Sequence, residues 1–255
     1  MGAFLAMVWN GFREARRNRV TMVVGVFAGV VLLCTSLVTE ITVNTFSRVM
    51  TDFGLGSMSI ILTFLAIFLS CGLLSREIER RTIFLVVSKP VSRAEFLVAR
   101  LFGNMVTLGA LLLAMFAVFV LELGLYHEHV TQPQLASAVG LFFELWVLSS
   151  VGFLLSSFAS QTVSAIATVG FYFAGHLSGD VYTLATKSKN PAMELLGKVI
   201  FYVMPNLEKL NFRTLAAYAV PVPFSQLING ILYGVAYGAA ACGLAIVIFN
   251  KRDFR

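Results

Sequence analysis

Long apolar runs alternate with short polar segments along most of the chain. Each run can form a helix that crosses the hydrocarbon core of a bilayer, which takes about 20 mainly apolar residues. The expected spans lie near residues 20–40, 56–75, 97–123, 136–158, 163–184 and 226–249. We therefore predict an all-α fold, a polytopic membrane protein whose residues 1–255 form a single transmembrane domain with six spans.

Two further segments predict helices that do not cross the membrane. Residues 3–18 place apolar side chains on one helical face and Arg13, Glu14 and Arg17 on the other, which is typical of an amphipathic interfacial helix. Residues 186–225 contain four prolines, and their longest apolar stretch is too short to cross a bilayer. They predict short helices broken by proline and partly embedded in the membrane, an outer cap over a subunit interface or cavity.

The positions of lysine and arginine predict the orientation of the spans. Cytoplasmic loops carry an excess of these residues. If the N-terminus is cytoplasmic, thirteen of the 19 basic residues fall on the inner side. They are Arg13, Arg16, Arg17, Arg19, Arg76, Arg80, Arg81, Lys89, Arg93, Arg100, Lys251, Arg252 and Arg255. Both termini are therefore predicted to be cytoplasmic.

The composition agrees with a protein that lives in a lipid bilayer. The chain is 58% hydrophobic and 13% charged, whereas soluble domains are typically about 25% charged. The net charge of +6 does not indicate a nucleic-acid partner, because the basic residues follow membrane topology. Cys34, Cys71 and Cys242 lie in or beside apolar runs without metal spacing, so we expect them to be packing residues.

A charge-dense segment, residues 76–96, separates the second and third predicted spans. Lipid cannot host so many charges, so the segment is expected in water at the cytoplasmic membrane face. It predicts a short helix that ends before Pro90, with Ser92 placed to cap the next helix. The positive-inside rule does not explain the interleaved Glu77 and Glu79, which favour a docking surface for a soluble partner. The expected contact residues are Arg76, Glu77, Glu79, Arg80, Arg81, Thr82, Ile83, Phe84, Lys89, Pro90, Ser92 and Arg93.

Residues 77–93 follow the pattern E-x-E-x-x-T-I-x-x-x-x-S-x-P-V-S-R. This pattern closely resembles the first cytoplasmic loop of type-2 ABC transporter permeases. The resemblance extends to the amphipathic N-terminal helix, the six spans, the long outer segment after the fifth span and the short basic tail. The chain is most similar to stand-alone permeases, including those of nitrous-oxide reductase maturation and of gliding machinery.

The resemblance implies a function that composition alone does not. Such permeases form homodimers with two copies of a cytoplasmic ABC ATPase, and the loop is the coupling helix that docks on it. Because this chain has no G-x-x-x-x-G-K-[ST] phosphate loop, we expect a non-catalytic subunit without a cofactor. The complex would sit in the bacterial inner membrane. It would either export a lipid, polysaccharide, peptide or drug, or transmit force to a periplasmic or outer partner.

Glycines four residues apart predict close helix contacts. Gly25 and Gly29 lie in the first span, and Gly175 and Gly179 lie in the fifth. Small residues at this spacing let helix backbones approach. The resemblance places both spans at the dimer seam, while packing within one subunit is an open alternative.

Ionisable residues inside spans are candidates for a transport pathway. Glu144 lies in the fourth span, and His176 and Asp180 lie four apart in the fifth. We expect a pore-lining or interhelical hydrogen-bonding role for His176 and Asp180, whereas the sequence leaves open whether the deeper Glu144 is protonated or paired. The rival function is a stand-alone membrane enzyme that uses His176 and Asp180, or a metal held by His127 and His129. Two histidines in one loop make a poor metal site, because structural zinc takes four fixed ligands, so no metal is predicted.

Overall fold

The computed structural model describes Val8, Trp9, Arg13 and residues 20–41, 46–79, 92–187 and 191–251. From residue 20 onward this part forms helices and connecting loops without a β-strand, which confirms the all-α prediction for it. The predicted interfacial helix 3–18 lies largely outside the described residues. The helices are α1 Val20–Ile41, α2 Phe46–Glu79, α3 Arg93–Leu125, α4 Gln132–Ser156, α5 Gln161–Lys187, α6 Pro191–Val203, the 3-10 helix Leu207–Leu210, α7 Arg213–Ala217 and α8 Phe224–Lys251.

Four of the described helices are long and apolar enough to cross a membrane. Their candidate spans are Phe46–Leu73 in α2, Ala94–Leu125 in α3, Gln132–Ser156 in α4 and Phe224–Lys251 in α8. The other two predicted spans fall on α1 and α5. The described apolar stretch of α1 covers only Met22–Cys34, and α5 carries polar side chains such as Ser164, Thr168 and Ser178 on its buried side. The count of six spans therefore stays a prediction.

The ends of the long helices lie at two opposite faces of the bundle. At one face Phe46, the first residue of α2, packs on Tyr126, which directly follows α3, with ring centroids 4.9 Å apart. Residues 204–223, which we call the capping segment, lie at this face, because Tyr218 contacts Arg48 near the start of α2, so we call it the capped end. At the other face Leu97, Phe153 and Phe249 share one apolar cluster. We call this face the opposite end; α2 reaches it at its last residue and α3 begins there.

Helix α4 is the centre of the bundle. It contacts α2, α3, α5 and α8. Helix α8 approaches it so closely at Gly238 that a β-carbon there would overlap the indole of Trp146. Lipid gives helices no hydrophobic drive to associate, so such close packing contributes much of the association energy. A polar side chain midway along α4 is consequently surrounded by protein.

The capping segment folds back onto the bundle between helix breaks at prolines. Helix α6 begins at Pro191, where a missing N–H costs nothing, and Pro223 directly precedes α8. Between them the 3-10 helix contacts α4, α5 and α8, while α7 contacts α2 and α4. The side chains of Leu207, Leu210 and Phe212 in this segment are buried against the bundle and anchor the segment there.

Candidate functional site

Glu144 is a deeply buried carboxylate on α4. Only 3% of the residue is exposed. Burial of a carboxylate is strongly unfavourable unless it finds a partner. The partner is His176 of α5, whose Nε2 lies 3.0 Å from Oε1 of Glu144. The structure thus joins two of the three ionisable residues that the sequence singles out.

The second ring nitrogen of His176 faces the capping segment. Nδ1 of His176 lies 3.3 Å from Oε2 of Glu208 in the 3-10 helix. Tyr172, one turn earlier on α5, packs edge-on against the imidazole with ring centroids 4.7 Å apart. The imidazole therefore bridges a buried and an exposed carboxylate. We call Glu144, His176 and Glu208 the carboxylate–histidine cluster.

Glu208 is held in place by its neighbours. The side-chain amide of Asn211 donates to Oε1 and Oε2 of Glu208, at 3.2 and 3.1 Å. The hydrogen bond with His176 lowers the pKa of the Glu208 carboxyl, partial burial opposes this shift, and the bond from Asn211 adds to it. A lowered pKa means that these contacts stabilise the fold above the ordinary carboxyl range. Their contribution is lost as the pH falls through the lowered pKa.

Two tyrosines of α8 hold the start of the capping segment and the end of α6, which precedes it. The backbone N–H of Asn206 donates to the Tyr233 hydroxyl at 2.7 Å. The Tyr237 hydroxyl donates to the carbonyl oxygen of Val203 at 3.1 Å. The segment is thus attached to α8 by neutral hydrogen bonds and to α5 through the ionisable cluster.

A small cavity adjoins Glu144. It measures about 10 Å³, and its polar lining includes Ser59, Ser137, Asn211 and Arg213. That volume is about what a single water needs. The cavity is therefore far too small to hold a transported solute.

The pairing of His176 differs from the one considered in the sequence. Asp180 is exposed one turn further along α5. Both ring nitrogens of His176 face carboxylates instead, so the hydrolytic His176/Asp180 pair is not formed. His127 and His129 are exposed in the loop after α3. Within the described ranges, no group of three or more His, Cys, Asp or Glu residues is arranged to hold a metal ion.

The predicted docking segment, residues 76–96, lies mainly outside the described residues. Helix α2 continues to Glu79 and α3 begins at Arg93, while residues 80–91 are not described. Ser92 has extended backbone and accepts a hydrogen bond from the Glu95 N–H at 3.1 Å. This is the capping role expected of Ser92. The docking role of the segment stays a prediction.

The paired glycines have different surroundings. Among the described residues, no atom lies within 4 Å of a β-carbon built on Gly25 or Gly29, so this face of α1 is open to that part of the chain. A β-carbon on Gly175 would lie 2.8 Å from the Leu207 side chain. Gly175 therefore packs inside the chain, the alternative left open by the sequence. The dimer interface itself stays a prediction.

Only indirect features of the sequence point to Glu208 and Tyr172 as site residues. Tyr172 precedes His176 by four residues and so shares its helical face. Glu208 lies between Leu207 and Leu210, whose apolar side chains after a proline indicate an embedded turn. Its contact with His176 joins residues 32 apart and leaves no periodic pattern.

Comparisons with known proteins point to one family. Residues 5–254 match a family model described as ABC-2 family transporter protein. A search of curated proteins found no match. The matched region covers nearly the whole chain, including the docking segment and the carboxylate–histidine cluster.

Proposed function

Since the chain belongs to the ABC-2 transporter family and is thus a membrane subunit of an ABC transporter, we propose that it is a homodimeric permease driven by a separate ATPase. Two ATPase copies bind the dimer at residues 76–96. Subunits of this family are normally non-catalytic, so ATP hydrolysis belongs to the partner. The complex exports a solute or transmits force to an outer partner.

The length of α2 and α3, and the face of the bundle that both helices reach, support this proposal. They are 34 and 33 residues long. At 1.5 Å per residue each is about 50 Å long, well beyond the roughly 30 Å hydrocarbon core. Both reach the opposite end, where the mixed-charge segment joins them. A partner bound to that segment would move two helices that pack directly on α4.

The proposed topology follows from this docking site. The opposite end lies in the cytoplasm of a bacterial cell, with both chain termini on that side. Helices α1 and α5 complete six spans, and α6 with the capping segment forms the outer cap. Gly25 and Gly29 on the open face of α1 contribute to the dimer interface.

The mechanism is a shift between two populations. ATP closes the ATPase dimer, and the closed dimer binds one permease conformation better than the other. Helices α2 and α3 pass this preference to α4. Because α4 carries Glu144, the preference reaches the carboxylate–histidine cluster and the capping segment.

Charge reversal in the docking segment tests the proposal. Glu79→Lys or Arg81→Glu should abolish the stimulated ATP turnover of the co-purified ATPase while leaving membrane insertion intact. Glu194→Lys is the matched control, because Glu194 is an exposed acid on α6 that pairs with Lys198 at 2.6 Å. Unchanged co-purification and turnover in the double variant Glu79→Lys/Arg81→Glu would show that the ATPase docks elsewhere.

A further inference from the structure

The two contacts of His176 determine how many protons the carboxylate–histidine cluster holds. An ionised carboxylate only accepts hydrogen bonds, and a neutral imidazole has one donor and one acceptor nitrogen. Each of the two contacts of His176 needs one proton between nitrogen and oxygen. Two contacts therefore need two protons, either on a charged imidazolium or shared between a neutral imidazole and one protonated carboxyl. In both arrangements the closed cluster carries a net charge of −1.

We propose that Glu144, His176 and Glu208 form a two-proton binding site that latches the capping segment onto α4 and α5, and that release of one proton opens the latch. With one proton left, one ring nitrogen presents a lone pair to a carboxylate oxygen, and that contact becomes repulsive. The contacts of His176 with Glu144 and Glu208 are sufficient to propose the latch. The use of the latch as an outer gate rests on the proposed permease function.

Burial decides which contact breaks. The side chain of Glu144 is 4% exposed, so it cannot exchange His176 for solvent without leaving a buried, unpaired charge. The side chain of Glu208 is 56% exposed and keeps its bond from Asn211. The last proton therefore stays on Nε2 towards Glu144. Glu208 separates from His176 and turns towards water, which frees the turn that holds it.

The other nearby charges leave this order unchanged. Arg213, at the start of α7, acts on Glu208 and favours its ionised form. Tyr172 faces the imidazole by its ring, and Asp180 is exposed one turn away. The Lys209 ammonium lies 4.6 Å from the Tyr233 ring on the α8 side. On α6, Glu194 and Lys198 pair with each other.

The mobility of a spin label on the capping segment shows whether the latch is closed or open. The full chain in lipid nanodiscs, without Cys34, Cys71 and Cys242, carries a nitroxide at exposed Lys209→Cys. The label should be immobile at about pH 6 and become mobile as the pH rises to about 10, a range that spans the ordinary histidine pKa. Release of one proton changes the ratio of mobile to immobile label by up to about tenfold per pH unit. A label at exposed His129→Cys, in the loop after α3 and outside the capping segment, reports general unfolding and should not change.

Three variants show whether the mobility of the label depends on the proton at His176 or only on loss of the contact with Glu208. In Glu208→Gln the amide donates to Nδ1 of a neutral imidazole, so the contact needs no second proton and the label should stay immobile throughout. His176→Ala should be mobile throughout, and Asp180→Asn should behave as the unmodified chain. A label that ignores pH in the unmodified chain, or a Glu208→Gln response equal to that of the unmodified chain, would overturn the proposal.

An experiment with the ATPase tests separately whether the latch exists and whether ATP controls it as a gate. ATP and Mg²⁺ should mobilise the Lys209→Cys label at about pH 6, where the latch is closed in the absence of the ATPase. If the pH response is present and ATP has no effect, the latch stands and the coupling to the ATPase fails. If both responses are absent, the two-proton site is refuted whatever the ATPase does.

Discussion

Replacing Gly175 with alanine should loosen the capping segment. The new β-carbon would lie 2.8 Å from the side chain of Leu207 and 2.9 Å from the carbonyl oxygen of Pro205. Ordinary van der Waals contacts begin at about 3.4 Å, so the segment has to move. Leu207 is fully buried and Pro205 presents backbone, so neither can move aside easily.

The magnitude follows from two opposing terms. Overpacking a buried site costs about 1–3 kcal/mol. Alanine returns up to about 1 kcal/mol of helix propensity relative to glycine. Gly170→Ala on the same helix is the matched control, because its β-carbon meets no atom of the described residues within 4 Å. This substitution brings only the gain in helix propensity. The two variants should therefore differ by about 1–3 kcal/mol in capping-segment stability, which corresponds to about 5- to 150-fold in local opening.

Hydrogen–deuterium exchange of residues 204–212 in nanodiscs measures this opening, because exchange in native conditions reports local unfolding. Gly175→Ala should exchange faster than the unmodified chain, and Gly170→Ala should not. Equal exchange in both variants would refute the packing of Gly175 on the segment. A Gly175→Ala variant that loses dimerisation while its exchange is unchanged would instead place this glycine at the subunit interface.

Three further predictions concern the capping segment, the dimer and the topology. Tyr233→Phe removes the acceptor of the Asn206 N–H, which should cost about 0.5–1.5 kcal/mol and speed exchange at that amide, whereas Tyr237→Phe should leave it unchanged. Cysteines at Gly25 or Gly29 should cross-link between subunits, and cross-links confined to α3 and α4 would contradict the proposed interface. Cysteines at Ser188 and Thr214 should react with a membrane-impermeant thiol reagent from outside, and reaction only from the cytoplasmic side would refute the outer cap.

The apolar runs and prolines predict much of the fold because they act locally. A run of apolar residues is compatible with a helix in lipid wherever it occurs, and α4 and α8 fall where their runs do. Proline breaks a helix by its own geometry, which accounts for the breaks at Pro191 and Pro223. The weaker apolar pattern of α5 reflects the polar side chains that it turns towards other helices rather than lipid.

The candidate site was less predictable because it depends on distant contacts. Glu144 and His176 could be selected individually, since ionisable residues in apolar runs are rare. Their pairing depends on the angle at which α4 and α5 cross, and the participation of Glu208 depends on how the capping segment folds back. Likewise, the spacing of Gly175 and Gly179 indicates close approach but does not identify what approaches. In the structure it is Leu207 of the same chain.

Site-specific photocrosslinking tests most directly whether residues 76–96 dock the ATPase. A photoreactive amino acid at Phe84 in the docking segment should give an adduct with the co-expressed ABC ATPase. The same amino acid at Tyr218, an exposed residue at the capped end, should give none. An ATPase adduct at Tyr218 and none at Phe84 would contradict both the docking site and the orientation on which the proposed function rests.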